Sequence, residues 1–250
     1  MLRIFLPALQ VGPGLTGVGV YTLELIRGLA HQPLDGEEIV VGAPFPEWFD
    51  FLQGIDGFRV EPLPLPRADA WGRMLATHTV VPRLAAQLDA DWLVGPNFIA
   101  PLWGRCDTAV MVHDLAFRRF PGTTTRAKRL YYQMLVRRSV RRARLIFVST
   151  ETVGREITEY APAAAGKIWR TPEGVSPSYL ANGDRGEHPD PAQTRRDLLF
   201  VGTLEPRKNL ARIVSAHGNV CRRRPGFPRL RIVGGRGWID EGIHRAMRDH

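Results

Sequence analysis

The sequence predicts an α/β protein of doubly wound, mostly parallel sheets, and three observations lead there. Short apolar or β-branched runs alternate with helix-length amphipathic segments, the order that a parallel sheet with helical crossovers produces. Each run is closed by Gly, Pro or charge, which holds it to strand length. A stretch poor in core formers then separates a long first series from a second β-α-β unit.

Strands are expected at 2–8, 38–43, 59–63, 92–95, 109–113, 145–149 and 168–171. The helices between them are expected at 19–30, 71–88, 125–143 and 152–160. In the first helix Tyr21, Leu25 and Leu29 repeat at i, i+4 and i+8 as one apolar stripe. Residues 176–196 hold Pro177, Asn182, Gly183, Gly186, Pro189 and Pro191, and they read as a linker. A strand at 198–201, a helix at 210–223, a strand at 230–233 and a helix from 239 follow. The expected division is a first domain over 1–175, a linker over 176–196 and the start of a second domain over 197–250. So small a second part is marginal as an independent core, and open α/β sheets ordinarily have more than two strands. The chain is therefore expected to stop inside its second domain.

An apolar content of 44% is enough for a packed core and too high for disorder. No run of about 18 apolar residues is present, so no membrane-spanning helix is expected. The apolar start behind Arg3 lacks a long hydrophobic region and reads as a first buried strand, not a signal peptide. Cys106 and Cys221 lie far apart, with no His or Cys nearby at metal-ligand spacing. That favours a reducing compartment and no structural zinc. The net charge of +9 favours anionic partners: nucleic acid, phosphate-bearing ligands or anionic lipid.

Four constellations could carry chemistry. Gly12-Pro13-Gly14-Leu15-Thr16-Gly17-Val18-Gly19 follows a strand and opens a helix, and Gly12, Gly14 and Gly17 satisfy G-x-G-x-x-G. Such a loop lets backbone approach a ligand, and helix N–H groups favour anions. The plainer reading is a glycine-rich connection. His113 and Asp114 cap the apolar strand that precedes them, at the edge where open sheets bind ligands. An imidazole there can donate to a sugar hydroxyl or a phosphate; the alternative is a structural pair with Asp114 as a cap. In residues 200–209 a strand ends at Gly202, and a short loop brings Arg207 and Lys208 to the mouth of a new helix. Two cations beside helix N–H donors suit a diphosphate; the alternative is a solvated basic turn with Asn209 as cap. Last comes a basic run: Arg118, Arg119, Arg126, Lys128, Arg129, Arg137, Arg138, Arg141, Arg142 and Arg144, with Tyr131 and Tyr132 inside it. It is either a solvated helix face or a surface for anionic lipid or a phosphate-linked acceptor. No nucleic-acid module accompanies it.

Neither a G-x-S-x-G motif nor a P-loop occurs. Taken in order, the motifs resemble the bacterial retaining glycosyltransferases of family four, also called glycosyltransferase group 1. Residues 16–25 resemble the family's glycine loop and following helix. His113-Asp114-Leu115 with Phe120-Pro121 resembles the "HDL…P" stretch of mannosyltransferase-like members. Pro172-Glu173-Gly174-Val175 resembles its "PNGV" run, with Glu173 for the usual Asn. Residues 200–209 resemble the donor-diphosphate signature, and Val233-Gly234-Gly235 with Gly237-Trp238 the next donor-domain loop.

The resemblance implies a GT-B type fold of two Rossmann-like doubly wound domains, the second incomplete here, with the first on the acceptor side. It implies transfer of a hexose, mannose in the mannosyltransferase-like members, from a nucleotide-diphospho-sugar such as GDP-mannose to a glycan or lipid-linked acceptor, with retention. It assigns His113 and Asp114 to the reacting centre, His113 hydrogen-bonding the donor sugar. Gly17, Val18, Gly19, Gly202, Thr203, Arg207, Lys208 and Gly235 would bind the donor, with Arg207 and Lys208 neutralising the diphosphate. No metal and no resident cofactor are implied. The implied location is cytoplasmic, with peripheral contact at an anionic membrane's inner face.

Thr203 stands where many relatives carry Arg, which puts a second phosphate contact in doubt. Glu151 and Glu159 have E-x7-E spacing but precede the signature, so they are not the family's donor motif. Two readings from other classes stay open. One is an NAD(P)-dependent oxidoreductase using Gly12, Gly14 and Gly17, although Glu37 and Glu38 start the second strand and Pro44 follows it. The other is an inactive fragment that only binds a partner.

Overall fold

The computed structural model describes residues 1–123, 125–177, 180, 197–235 and 241–249. The chain forms two compact units, one of Met1–Leu115 with Tyr132–Ser176 and one of Ala116–Tyr131 with Pro177–His250. Nearly all of the expected linker falls outside the described residues.

The first unit is built on seven parallel strands: β1 (Leu2–Pro7), β2 (Glu37–Ala43), β3 (Phe58–Pro62), β4 (Trp92–Gly95), β5 (Asp107–Val112), β6 (Leu145–Val148) and β7 (Ile168–Arg170). Their order is β3-β2-β1-β4-β5-β6-β7. Parallel strands need crossovers: α1 (Gly17–Ala30) joins β1 to β2, α2 (Ala70–Gln87) joins β3 to β4 and α5 (Glu151–Tyr160) joins β6 to β7, while β2–β3 is joined by a 3-10 segment (Pro46–Leu52) and β4–β5 by a loop. Between β5 and β6 run the short α3 (Ala116–Arg119) and α4 (Arg126–Arg142), of which residues 116–131 belong to the second unit. Alternation along the strands sorts the core into two layers. Leu6, Ile39 and Val41 join Leu23 and Ile26 of α1 on one face. Phe5, Val40 and Leu93 join Ala76, Val81 and Ala85 of α2 on the other.

Some expectations need correction. The fully buried positions of α1 are Gly19, Thr22, Leu23 and Ile26; of the expected stripe, Leu25 and Leu29 are partly covered and pack against that core, and Tyr21 is partly covered. A Cβ at Gly19 would stand 2.4 Å from the Gln10 carbonyl oxygen, so the helix start packs closely against that loop. His113, expected to close β5, lies one residue beyond the ladder. The basic run is not one solvated face. Arg142 holds the Leu102 and Gly104 carbonyls, and Arg144 pairs with Asp107 at 2.7 Å. Lys128 is half-buried.

Pro82 lies inside α2 and has no N–H for the carbonyl of His78, four residues back. The Trp103 indole Nε1 donates to that carbonyl at 2.8 Å instead. At the start of α2 the Asp69 carboxylate accepts from the Gly72 N–H at 2.8 Å. A Cβ at Gly72 would stand 1.9 Å from the Arg67 oxygen, so the cap loop tolerates only glycine there.

The second unit carries β8 (Leu198–Val201) and β9 (Leu230–Val233) in parallel, with α6 (Leu210–Arg223) and α7 (Glu241–Asp249). Phe200 and Ile232 pack with Leu204, Leu210, Val214, Ile243 and Ala246. Leu199, Val201 and Val233, on the other side of the pleat, are exposed. The helix expected from 239 is described over Glu241–Asp249; its expected first residues, 239 and 240, and Gly237 and Trp238 lie outside the described residues. Cys221 is not without a histidine neighbour. His217, one turn earlier on α6, has its Nε2 3.6 Å from the thiol and bonded to the Pro228 oxygen. A helical i, i+4 pair escapes a search for motif spacings. Among the described residues no group of three potential metal ligands gathers, and no helix is long and apolar enough to cross a membrane.

Two stability predictions follow from α2. Trp103→Phe lowers unfolding stability by about 1 kcal/mol, and by less in a Pro82→Ala background, where an N–H returns to His78; a double-mutant urea titration reads the difference. The Gly72 bond, then Arg67, hold the Asp69 carboxyl below its ordinary value of 3.8. Its ionised form therefore stabilises the fold above that value, and the benefit fades as pH falls through the lowered one. The urea-midpoint deficit of Asp69→Ala is constant near neutrality and shrinks below about pH 4.

Candidate glycosyl-transfer site

The strand order reverses between β1 and β4. Loops leaving those two strands diverge, and their carboxyl ends leave the crevice where open sheets hold ligands. His113, just past β5, is anchored here. Its Nε2 donates to the Pro96 oxygen at 3.0 Å, and its Nδ1 faces Glu173 Oε1 at 3.2 Å. The edge of Tyr21, from α1, lies 4.7 Å away centroid to centroid, and Phe98 lies at 6.3 Å. Burial, with a smaller push from Glu173, raises the Tyr21 hydroxyl to about 12. Phe98 also meets Tyr132 at 5.6 Å; burial, then Asp114, pushes that phenol up as well.

The glycine loop reaches the same sheet edge. Gly12 and Gly14 have φ of +153° and +76°, conformations that favour glycine. Gly17 and Val18 form the first turn of α1, and Gly17 has open space where a Cβ would be. Gly19 is buried against Gln10, so packing alone requires a glycine there. The Gln10 side-chain oxygen is buried with no hydrogen-bond partner among the described residues.

The second unit holds the other expected residues. Gly202, at φ +153°, ends β8, and its amide continues the ladder to the Val233 oxygen at 2.9 Å. A Cβ on Gly234 would stand 1.9 Å from the Gly202 oxygen, so Gly234 is the residue that must be glycine, while Gly235 has open space and accepts from Leu204 at 3.0 Å. Thr203 is exposed. Pro206–Lys208 forms a single 3-10 turn, and Asn209 takes a left-handed conformation before α6 without a side-chain cap bond. The Lys208 stem passes Gly202: its Cε is 3.9 Å from where a Cβ would sit. Arg207 is tethered, its Nη2 2.6 Å from Glu205, whose side chain is 4% exposed. Burial lowers the Lys128 ammonium, and Glu205 opposes that.

His113 and Asp114 thus share the first unit with Gly17, Val18 and Gly19, and the remaining candidates share the second. Sequence reasoning missed Glu173, Tyr21 and Pro96 as partners of His113, and Glu205 as the anchor of Arg207. Only Glu173 had left a signal, as the departure from Asn in the 172–175 run. Glu151 and Glu159 line a shallow groove with Arg155 and Arg170 along α5 and β7.

Comparison with known proteins bears on this arrangement. The sequence profile described as Glycosyltransferase Family 4 matches residues 15–179. The O-antigen chain mannosyltransferase B of Escherichia coli is 26% identical over 262 residues, covering 93% of this chain and 64% of that protein. A lipopolysaccharide outer core galactosyltransferase in its apo form superposes with a TM-score of 0.51 at 12% identity, over 100% of this chain and 65% of that one. The second likeness is one of fold, the α/β GT-B type. The chain spans less than two thirds of the length of either relative. With the profile matched from the end of the β1–α1 loop through α1, the His113 site and the residues after β7, the chain belongs to glycosyltransferase family 4.

Proposed function

We propose that the chain serves transfer of a hexose from a nucleotide-diphospho-sugar to a glycan or lipid-linked acceptor, with retention of configuration. The likeness to an O-antigen mannosyltransferase favours mannose, with GDP-mannose as donor. The observation that carries the reading is the 202–209 loop. It joins a side-chain-free strand end, Lys208 across that glycine, Arg207 on a buried tether and the start of a 14-residue helix. Such a cradle stabilises the charge that develops on a departing diphosphate. Gly202, Thr203 and Gly235 line its phosphate side. In the first unit Gly17, Val18 and Gly19 present backbone toward the donor, and His113 with Asp114 stands beside the transferred sugar. Charge neutralisation falls to the two cations, and no resident cofactor is assigned.

Peripheral contact with anionic lipid at the inner face of a membrane belongs to the same reading. On the part of α4 in the first unit, Met134 is 51% exposed, and Arg137, Arg138 and Arg141 beside it are exposed. Apolar and basic side chains on one helix face suit an anionic interface.

Thermal-shift titration of the chain with GDP, UDP, ADP and NAD tests the donor reading. A nucleoside diphosphate stabilises it; a shift with NAD alone overturns the proposal in favour of a nicotinamide enzyme. Lys208→Ala weakens nucleoside diphosphate binding by about tenfold and changes stability by less than about 0.5 kcal/mol. Arg207→Ala weakens binding too, and it also costs about 1–3 kcal/mol of stability, because the buried Glu205 loses its hydrogen-bonded guanidinium.

Flotation with vesicles containing anionic phospholipid tests the membrane contact. The Arg137→Glu/Arg138→Glu variant floats less than wild type, and equal flotation rejects the surface.

A further inference from the structure

The first unit contains a ligand-facing group that is not His113. Both imidazole nitrogens already point at protein acceptors, the Pro96 oxygen and Glu173 Oε1. Tyr21 and Phe98 meet the ring edge-on, and the side chain is only 13% exposed. The ring has no free nitrogen for a ligand. Glu173, by contrast, is 52% exposed on the segment after β7. One carboxylate oxygen meets His113, and a carboxylate has about four lone-pair sites, so acceptor capacity remains on the solvent side.

The charge of that group restricts what it can meet. A phosphate or carboxylate would be repelled by it. A neutral polyhydroxylated ring would not, because a carboxylate only accepts and hydroxyls donate. A carboxylate only accepts, so Glu173 narrows the partner to a donor. The imidazole contact and the burial around Tyr21 hold the acceptor in one place before a ligand arrives, which reduces the cost of ordering it.

We infer that Glu173 is the sugar-recognising residue of this unit: its carboxylate accepts hydrogen bonds from a pair of hydroxyls on a pyranose ring, and His113 is the positioning residue that holds it there. The inference rests on the transferase reading above. The ring could belong to the donor or to the acceptor, and the chemistry is the same.

The test is isothermal titration of the full chain with GDP, GDP-mannose and mannobiose, comparing wild type, Glu173→Gln, Glu173→Ala and His113→Ala. GDP lacks the sugar and serves as the control for folding. Both Glu173 variants bind GDP like wild type and lose about tenfold in affinity for one sugar ligand. A loss for GDP-mannose assigns the donor's ring; a loss for mannobiose assigns the acceptor's. His113→Ala loses in the same ligand but by less, because the carboxylate remains and only its tether is gone. Glu173 variants that bind both sugar ligands as wild type does overturn the inference while leaving the transferase reading in place. A wild-type chain that binds neither GDP nor GDP-mannose overturns that reading, and this inference with it.

Discussion

The parallel pairing of β1 with both β2 and β4 is the constraint on which the first unit depends. A parallel partner cannot be reached by a hairpin, so each neighbour of β1 requires a crossover helix. The chain moves outward to β2 and β3, then returns past β1 to continue from β4 toward β7. That return places α1 and α2 on opposite faces, and their core layers alternate residue by residue through Phe5 and Leu6. It also separates the loops leaving β1 and β4. Every partner of His113 follows from this topology: Tyr21 opens the helix after β1, Pro96 and Phe98 follow β4, and Glu173 follows β7.

Close backbone approach sets the second level of order. Gly19 lies against the Gln10 carbonyl and Gly234 against that of Gly202, and in both places a Cβ would overlap a backbone oxygen. Such positions need glycine whether or not a ligand is bound. The glycines with open space, Gly17 and Gly235, have no such packing reason. A glycine-rich motif thus mixes two kinds of residue, those that let chain segments touch and those that leave room beside the backbone, and spacing alone does not sort them.

That distinction explains what was legible in the sequence. Strand runs such as those of β2 and β5 are buried on both faces, and a continuous apolar run survives in one dimension. Their ends were less legible: His113 extends an apolar run but falls outside the hydrogen-bond ladder, because ladder length depends on the neighbouring strand. The Tyr21–Leu25–Leu29 stripe follows helical period and Leu25 and Leu29 do pack against the core, but the deepest positions, Gly19, Thr22, Leu23 and Ile26, include a glycine and a threonine that an apolar count passes over. The motif order placed His113, Lys208 and the glycine loops at carboxyl ends of strands. The partners of those groups were illegible because they come from distant chain segments. Glu173 is 60 residues from His113, and nothing local marks a carboxylate as another residue's partner. Glu205 sits beside two cations in a basic turn, where burial of its side chain leaves no periodic trace.

The two carboxylates nonetheless follow one physical rule, and it separates their roles. Glu205 is nearly fully buried, so its charge requires a cation nearby, which Arg207 supplies at 2.6 Å. Its effect is to fix the direction of a cation. Glu173 is half exposed and contacts a ring that is itself held by a backbone carbonyl. Solvent carries much of its charge, so it can exchange water for hydroxyls at modest cost. A buried acid beside an exposed arginine orients the arginine; an exposed acid beside a buried histidine is itself oriented. The same acid–base contact therefore directs a cation outward in one unit and an acceptor outward in the other, and burial decides which.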